Sequence, residues 1–312
     1  MRILTLFLLA INAFALHLPD GTNQFDSKIW GADRVTNIEG YESGLGKIFT
    51  FLQGNEYFAY GVLLAILGVV LAFTLHFLLI GPKHFSHDGK KVYAFSLIER
   101  LAHGLAGISW VVLVPTGIIM MWGSTFGGGS FVRFAKNSHG IATILFAIAV
   151  LPLLFAWIKR MMPTAYDLKW MLMLGGYLSK DKKCIPAGKF NAGQKQWFWV
   201  AIPGGILMIA TGACMYFLDF KEPAVATWLG ISQIELLRLA AIIHNVLGII
   251  CALFFLIHIY MAVIAIHGAI WAMITGYKEE EEVYVLHHYW YNELVSKNKI
   301  PASDYEKIYP KL

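Results

Sequence analysis

Five apolar runs, at about 58–80, 101–122, 139–158, 197–218 and 236–270, constrain this chain more than any other feature. At a rise of about 1.5 Å per residue, each is long enough to cross a bilayer as an α-helix. The last is longer than needed and should tilt or project into water. In lipid a backbone must satisfy its own N–H and C=O groups, and runs of this length do so as helices. Composition agrees, with 57% hydrophobic and 14% charged residues, where a soluble chain would carry about a quarter charged. The expected fold is therefore an all-α integral membrane protein in a lipid bilayer. The net charge of +5 falls mainly in particular loops, a mark of membrane topology that gives no support for a nucleic-acid partner. The three cysteines, Cys184, Cys214 and Cys251, form no CxxC, so neither a disulfide framework nor a cysteine metal site is expected. Cys214 and Cys251 read as small buried hydrophobes.

Met1-Arg2, the short apolar run 3–10 and Ala13-Phe14-Ala15 read as a secretory signal peptide over 1–15 with an A-x-A cleavage site. An uncleaved anchor is the other reading, although the run is short for a span. Residues 16–57 are polar, with Asp20, Asp26, Asp33, Glu39, Glu42 and Glu56, and are expected to form an extracytoplasmic segment. The loop after the first run carries Lys83, Lys90 and Lys91, and the loop after the third carries Lys159, Arg160, Lys169, Lys180, Lys182, Lys183, Lys189 and Lys195. Arg133, Lys136 and Lys221 are the fewer cations of the other connections. The excess of lysine and arginine places the first and third loops in the cytoplasm, the mature N-terminus in the periplasm and the 279–312 tail in the cytoplasm. Glu279-Glu280-Glu281-Glu282 in that tail reads as a solvated stretch. The glycine-rich 123–130 segment lacks the GK[ST] ending of a phosphate loop and reads as a hairpin between spans.

Four histidines, His103, His139, His244 and His258, lie in the apolar runs, where ionisable groups are costly and usually functional. Topology sorts them into an outer pair, His139 and His244, and an inner pair, His103 and His258. His244 and His258 are 14 residues apart, close to four turns, so they share a helix face about 21 Å apart along the axis. Each finds a partner at its own depth on another helix, as two stacked bis-histidine haems would require. Gly104 and Gly107 near His103, Gly117, Gly140 after His139, and Gly248 one turn past His244 would leave room for a flat macrocycle, although each alone fits ordinary helix packing. A proton relay or metal transporter is the competing reading. It should show intramembrane carboxylates, and runs two to five are nearly free of them, with Glu235 at an edge. His76, His84, His87, His267, His287 and His288 fall at helix ends, in loops or in the tail and are not read as ligands.

Gly188-Lys189-Phe190-Asn191-Ala192-Gly193-Gln194-Lys195 precedes the fourth run. One reading is a turn into a helix, with its lysines anchored at the interface. The other is a quinone pocket beside the inner haem, with Asn191, Gln194 and the Gly193 backbone amide as donors to the quinone carbonyls.

That segment resembles the G-K-[YF]-N-A-G-Q-K segment of the cytochrome b (gamma) subunit of respiratory formate dehydrogenase. Ile243-His244, Leu256-Ile257-His258-Ile259-Tyr260-Met261-Ala262, Glu99-Arg100-Leu101-Ala102-His103 and, more weakly, Ser138-His139-Gly140 also match that family, over about 96–295. The family often has Trp where Gly104 stands. The resemblance implies a four-helix dihaem cytochrome b bundle over 81–278 in a bacterial inner membrane, with 58–80 as one extra N-terminal transmembrane helix. It implies two haem b groups, on His139/His244 and His103/His258, and a menaquinone site touching Asn191, Gly193 and Gln194. It implies an iron–sulfur (beta) subunit and a molybdenum or tungsten pterin catalytic (alpha) subunit as partners, with formate oxidised on the latter and no catalytic residue in this chain. Related cytochromes b serve nickel–iron hydrogenases and thiosulfate reductases on a similar bundle, so the electron donor stays open at this point.

Overall fold

The computed structural model describes residues 44–309 apart from Asn55, Asp88 and 217–222. The expected signal peptide, residues 16–43 of the expected extracytoplasmic segment, and Lys221 lie outside the described residues. The protein is an all-α integral membrane protein. Tyr57–Leu79, Leu97–Met121, Gly129–Met161, Ala192–Tyr216 and Gln233–Ala265 have the length and apolarity of membrane spans. Large apolar side chains such as Leu64, Ile98 and Phe155 are exposed along them, as expected where lipid is the solvent and the backbone is already satisfied within each helix.

In chain order the helices are α1 Gly44–Gly54, α2 Glu56–Leu79, α3 Leu97–Met121, α4 Gly129–Met161, α5 Ala165–Leu172, α6 Ala192–Ala201, α7 Pro203–Tyr216, α8 Pro223–Leu229, α9 Gln233–Ile259, α10 Trp271–Thr275, α11 Glu280–Leu286 and α12 His288–Ser296. The third span starts ten residues before the apolar run does, at Gly129, because a helix can extend its polar first turns beyond the hydrocarbon. The fourth span is α6 followed by α7, divided at Pro203, which has no N–H to continue the ladder and crowds the preceding turn. The fifth span continues α9 through a π-helical turn, Tyr260–Ala265. Between α3 and α4 the chain turns on Gly127, Gly128 and Gly129, with φ of 83°, 61° and 57°, a left-handed backbone that glycine adopts without steric cost.

The chain divides into two compact units. One takes Pro115–Ile141 and Leu207–Gly248, with described residues up to Tyr60. The other takes Gly61–Val114, Ala142–Ile206 and Ile249–Leu312.

The second unit holds the only β-structure among the described residues beyond one isolated bridge, an antiparallel pair of β1 Lys91–Tyr93 and β2 Tyr277–Glu279. It also overturns the reading of the acidic run as a solvated stretch. Glu280, Glu281 and Glu282 are buried in α11. Glu281 accepts from Lys182 Nζ at 2.6 Å, from the Ser86 N–H at 2.7 Å and from the Tyr309 hydroxyl. Burial would push its carboxyl up, but these bonds hold it below the usual range. Glu282 pairs with Lys278 one turn away, whereas burial raises Glu280. The segment is buried because Val283, Val285 and Leu286 fill the core with Ile185 and Ala187, tied by backbone bonds Ile185 N–H to Val285 O at 2.7 Å and Tyr289 N–H to Ala187 O at 3.1 Å. The tail thus packs against the residues that lead into α6.

Candidate functional site

In the first unit, α4 carries His139 and α9 carries His244, and their ring centroids lie 6.4 Å apart. Each imidazole is held from another helix by a Thr-Gly dipeptide. On α3, Thr116 Oγ1 lies 2.9 Å from His139 Nδ1, and a Cβ at Gly117 would sit 3.7 Å from His139 Cε1. On α7, Thr211 Oγ1 lies 3.0 Å from His244 Nδ1, and a Cβ at Gly212 would come within 3.1 Å of His244 Cε1. Thr211 donates its own hydroxyl proton to the Leu207 carbonyl at 2.8 Å, so its lone pair accepts from His244 Nδ1–H. That fixes the tautomer and leaves the Nε2 lone pair for a metal. Gly140 meets Tyr216, where a Cβ would come within 3.0 Å of the ring, so it serves packing. Gly248 would meet only the tip of Met208.

In the second unit, α3 carries His103 and α9 carries His258, with ring centroids 6.2 Å apart. Aromatic rings hold this pair. Trp197 of α6 stacks on His258 at 5.3 Å with planes 21° apart, and Trp157 of α4 lies 6.0 Å from His103. Trp110 and Phe255 extend the cluster, at 5.1 Å and 6.4 Å from Trp197. Trp157 is itself oriented, since its indole N–H donates to Glu99 Oε1 at 2.6 Å. A Cβ at Gly104 or Gly107 would meet no atom within 4 Å.

Both separations fit an iron held between imidazoles. Two metal–nitrogen bonds of about 2 Å, each extended by roughly 1 Å from the nitrogen to its ring centre, span about 6 Å. No cluster of three or more His, Cys, Asp or Glu able to hold a bare metal ion occurs among the described residues.

The 188–195 segment starts α6 and folds as a capping box. Asn191 Oδ1 accepts from the Gln194 N–H at 2.9 Å and Gln194 Oε1 accepts from the Asn191 N–H at 3.0 Å. The turn-into-helix reading therefore describes the backbone. The two side-chain oxygens are engaged in the cap, while the amide nitrogens and the first-turn N–H of Gly193 stay outside the helical ladder. The lysines are not interface anchors. Lys195 is buried and donates to Asp167 Oδ2 at 2.7 Å and to Thr164 Oγ1 at 3.0 Å. Lys189 is 3.7 Å from Glu99 Oε1; burial lowers its ammonium below the usual range against the pull of that carboxylate. Through Glu99, this segment reaches the helix of His103. Six residues past Asn191, the same α6 delivers Trp197 to His258.

The other histidines serve elsewhere. His76 bonds the Tyr260 hydroxyl at 2.6 Å and the Tyr177 carbonyl at 2.9 Å, which ties α2 to the π-helical turn. His84 and His87 lie against His267. His287 bonds the Gly188 carbonyl at 2.8 Å, and His288 bonds the Tyr284 carbonyl at 3.1 Å. Sequence reading missed Thr116, Thr211, Gly212, Trp157, Trp197 and Glu99. The Thr-Gly pair at 116–117 and again at 211–212 was a usable signal; nothing distinguished Trp197 from its neighbours.

Residues 94–276, more than half of the chain, match the family model described as prokaryotic cytochrome b561. The chain is 26% identical over 212 residues to the nitrate-inducible formate dehydrogenase cytochrome b556(Fdn) subunit of Escherichia coli K12, covering 66% of this chain and 92% of that one. It is 24% identical over 202 residues to the formate dehydrogenase cytochrome b556 subunit of Haemophilus influenzae, covering 63% and 80%. To the formate dehydrogenase cytochrome b556(fdo) subunit of Escherichia coli K12 it is 21% identical over 209 residues, covering 65% and 93%.

Proposed function

The chain belongs to the prokaryotic cytochrome b561 family, and from that premise we propose that it is the membrane cytochrome b subunit of a quinone-linked formate dehydrogenase, passing electrons from an iron–sulfur partner to menaquinone. The observation that carries this is the pair of ring separations, 6.4 Å for His139/His244 and 6.2 Å for His103/His258, each of the span a bis-imidazole iron needs. In this reading His139 and His244 ligate one haem b, and His103 and His258 the other. When bound, each haem supplies a one-electron iron couple in a medium that excludes solvated ions. The chain supplies neutral imidazoles on facing helices, a fixed tautomer at His244, and aromatic walls around His103 and His258. This reading assigns no residue an acid–base role.

Asn191, Gly193 and Gln194 are the quinone contacts in this reading. Their unused N–H groups suit two carbonyl oxygens, and the helix they open carries Trp197 to His258. In this reading the membrane is a bacterial inner membrane, with this end of the protein at the cytoplasm and the mature N-terminus in the periplasm; the distribution of lysine and arginine supports that orientation. Residues 81–278 then form the dihaem domain. The partners are an iron–sulfur subunit and a pterin-metal subunit that oxidises formate outside the membrane; the relatives named for formate dehydrogenase support that donor.

The test is an optical spectrum and a haem-to-protein ratio on the purified, haem-replete protein. A ratio of about two with a b-type spectrum is expected, and a protein without b-type absorption would sink the reading. Copurifying activity separates donors: reduction by formate supports this assignment, and reduction by hydrogen alone moves the chain to a hydrogenase.

A further inference from the structure

We propose that Thr116 and Thr211 set the haem held by His139 and His244 at a lower reduction potential than the haem held by His103 and His258. The inference rests on the ligation in the functional reading above and concerns the residues that touch the ligands from behind. Both imidazoles of the first pair have a threonine hydroxyl at Nδ1, at 2.9 Å and 3.0 Å. The two threonines come from different helices, α3 and α7, and each is followed by a glycine beside the ring, where a Cβ at Gly212 would crowd His244. A hydrogen bond from Nδ1–H pulls the imidazole toward imidazolate and makes Nε2 a stronger donor. A stronger donor favours the ferric over the ferrous state and lowers the potential.

The second pair is built the other way. Among the described residues, no hydroxyl or carboxylate bonds a ring nitrogen of His103 or His258; Trp197 stacks on His258 instead, and Trp157 lies tilted beside His103. Stacking orients a ring without adding charge to its nitrogens. An apolar surround also favours the less charged ferrous centre. Both differences act in one direction, so of two haems bound here the one on His139 and His244 would have the lower potential, and an electron would pass downhill from that pair to the other. This is the direction that sequence topology assigns on other grounds, from outer pair to inner pair. Thr116 and Thr211 are thus positioning residues that act through His139 and His244.

The experiment is an optical redox titration of the purified, haem-loaded complex, with the wild type compared with Thr116→Val, Thr211→Val and the double variant. Valine keeps the shape and removes the hydroxyl. His139→Ala identifies which midpoint belongs to which haem. Each valine variant should raise the lower midpoint by up to about tenfold in its reduction equilibrium, which is about 59 mV for one electron, and leave the higher one in place. Thr116→Ser and Thr211→Ser should restore the wild-type value. If a valine variant loses the haem, retention in the serine variant supports the hydroxyl's role, and loss in both overturns it. An unmoved lower midpoint, a shift confined to the other haem, or a reversed order in the wild type would each overturn the proposal while two haems remain bound. Absence of haem from the wild type would instead fail the functional reading beneath it.

Discussion

The two histidine pairs have almost the same ring separation, 6.4 Å and 6.2 Å, yet they are held by different chemistry. Thr116 and Thr211 hydrogen-bond His139 and His244, whereas Trp157 and Trp197 pack on His103 and His258. A hydroxyl that accepts from Nδ1–H, as Thr211 does, fixes the tautomer and adds electron density to the opposite nitrogen. An aromatic face fixes a ring plane and excludes water but leaves the nitrogens alone. Equal spacing therefore does not mean equal sites: the two pairs differ in what their neighbours do to an imidazole. The glycines show the same contrast, since Gly117 and Gly212 touch imidazoles while Gly104 and Gly107 face open space.

The comparison breaks first if the pairs are not independent. His139→Ala and His103→Ala should each reduce the haem-to-protein ratio from about two to about one, and should remove different optical bands. Loss of both haems from either variant, or of the same band from both, would show that the pairing is wrong. Trp197→Ala probes the aromatic side alone. It should weaken retention of the His103/His258 haem by about 10–100-fold, the range for groups that orient a metal ligand, with the other haem unaffected. Equal loss of both bands during chelator or detergent challenge would mean that Trp197 serves general packing.

Asn191 distinguishes capping from quinone contact at the aromatic-held end. Asn191→Ser keeps a capping oxygen for the Gln194 N–H and removes the amide donor. Quinol formation should fall about tenfold, the scale of one lost hydrogen bond to a substrate carbonyl, while formate still reduces both haems. Turnover and inhibitor sensitivity equal to wild type would leave Asn191 as a cap only.

Sequence legibility followed the same division. The spans were legible because lipid imposes length and apolarity on a helix, and α2, α3, the α6–α7 span and the span that begins with α9 fall close to the apolar runs. The adjacency of the His139 and His244 rings, and of the His103 and His258 rings, was legible, since His244 and His258 lie near four turns apart on one helix. The chemistry behind the rings was not. Thr116 and Thr211 sit 23 and 33 residues from the rings they bond, and only helix-to-helix contact brings them there. The acidic run misled for a related reason. A run of glutamates suggests water, but Lys182 and Lys278 come from elsewhere or from the next turn to meet them, and such pairing is invisible until the tail is seen against 184–187.

The buried tail makes the His103/His258 unit sensitive to pH. His287 lies 2% exposed in the unit that holds His103 and His258. Burial lowers its pKa to about 3, the nearby Lys278 adds to the effect, and the bond to Gly188 opposes it. A free histidine titrates near 6.5, so the folded value is the depressed one. The sign follows: stability is fully present above about pH 6.5 and is lost as the unfolded state gains a proton on acidification toward pH 3, at about 1.4 kcal/mol per pH unit. His287 is bonded to Gly188, at the head of the segment that opens α6, and α6 carries Trp197. Acid between pH 6.5 and 4 should therefore disturb the absorption of the His103/His258 haem before that of the threonine-held haem. His287→Gln, which cannot take up a proton in this range, should flatten the pH dependence of thermal unfolding relative to its own value at pH 7.5. An unchanged acid slope in that variant, measured by helical circular dichroism in detergent, would place the acid sensitivity in other groups. Simultaneous loss of both haem bands in the wild type would show that acid does not distinguish the two pairs.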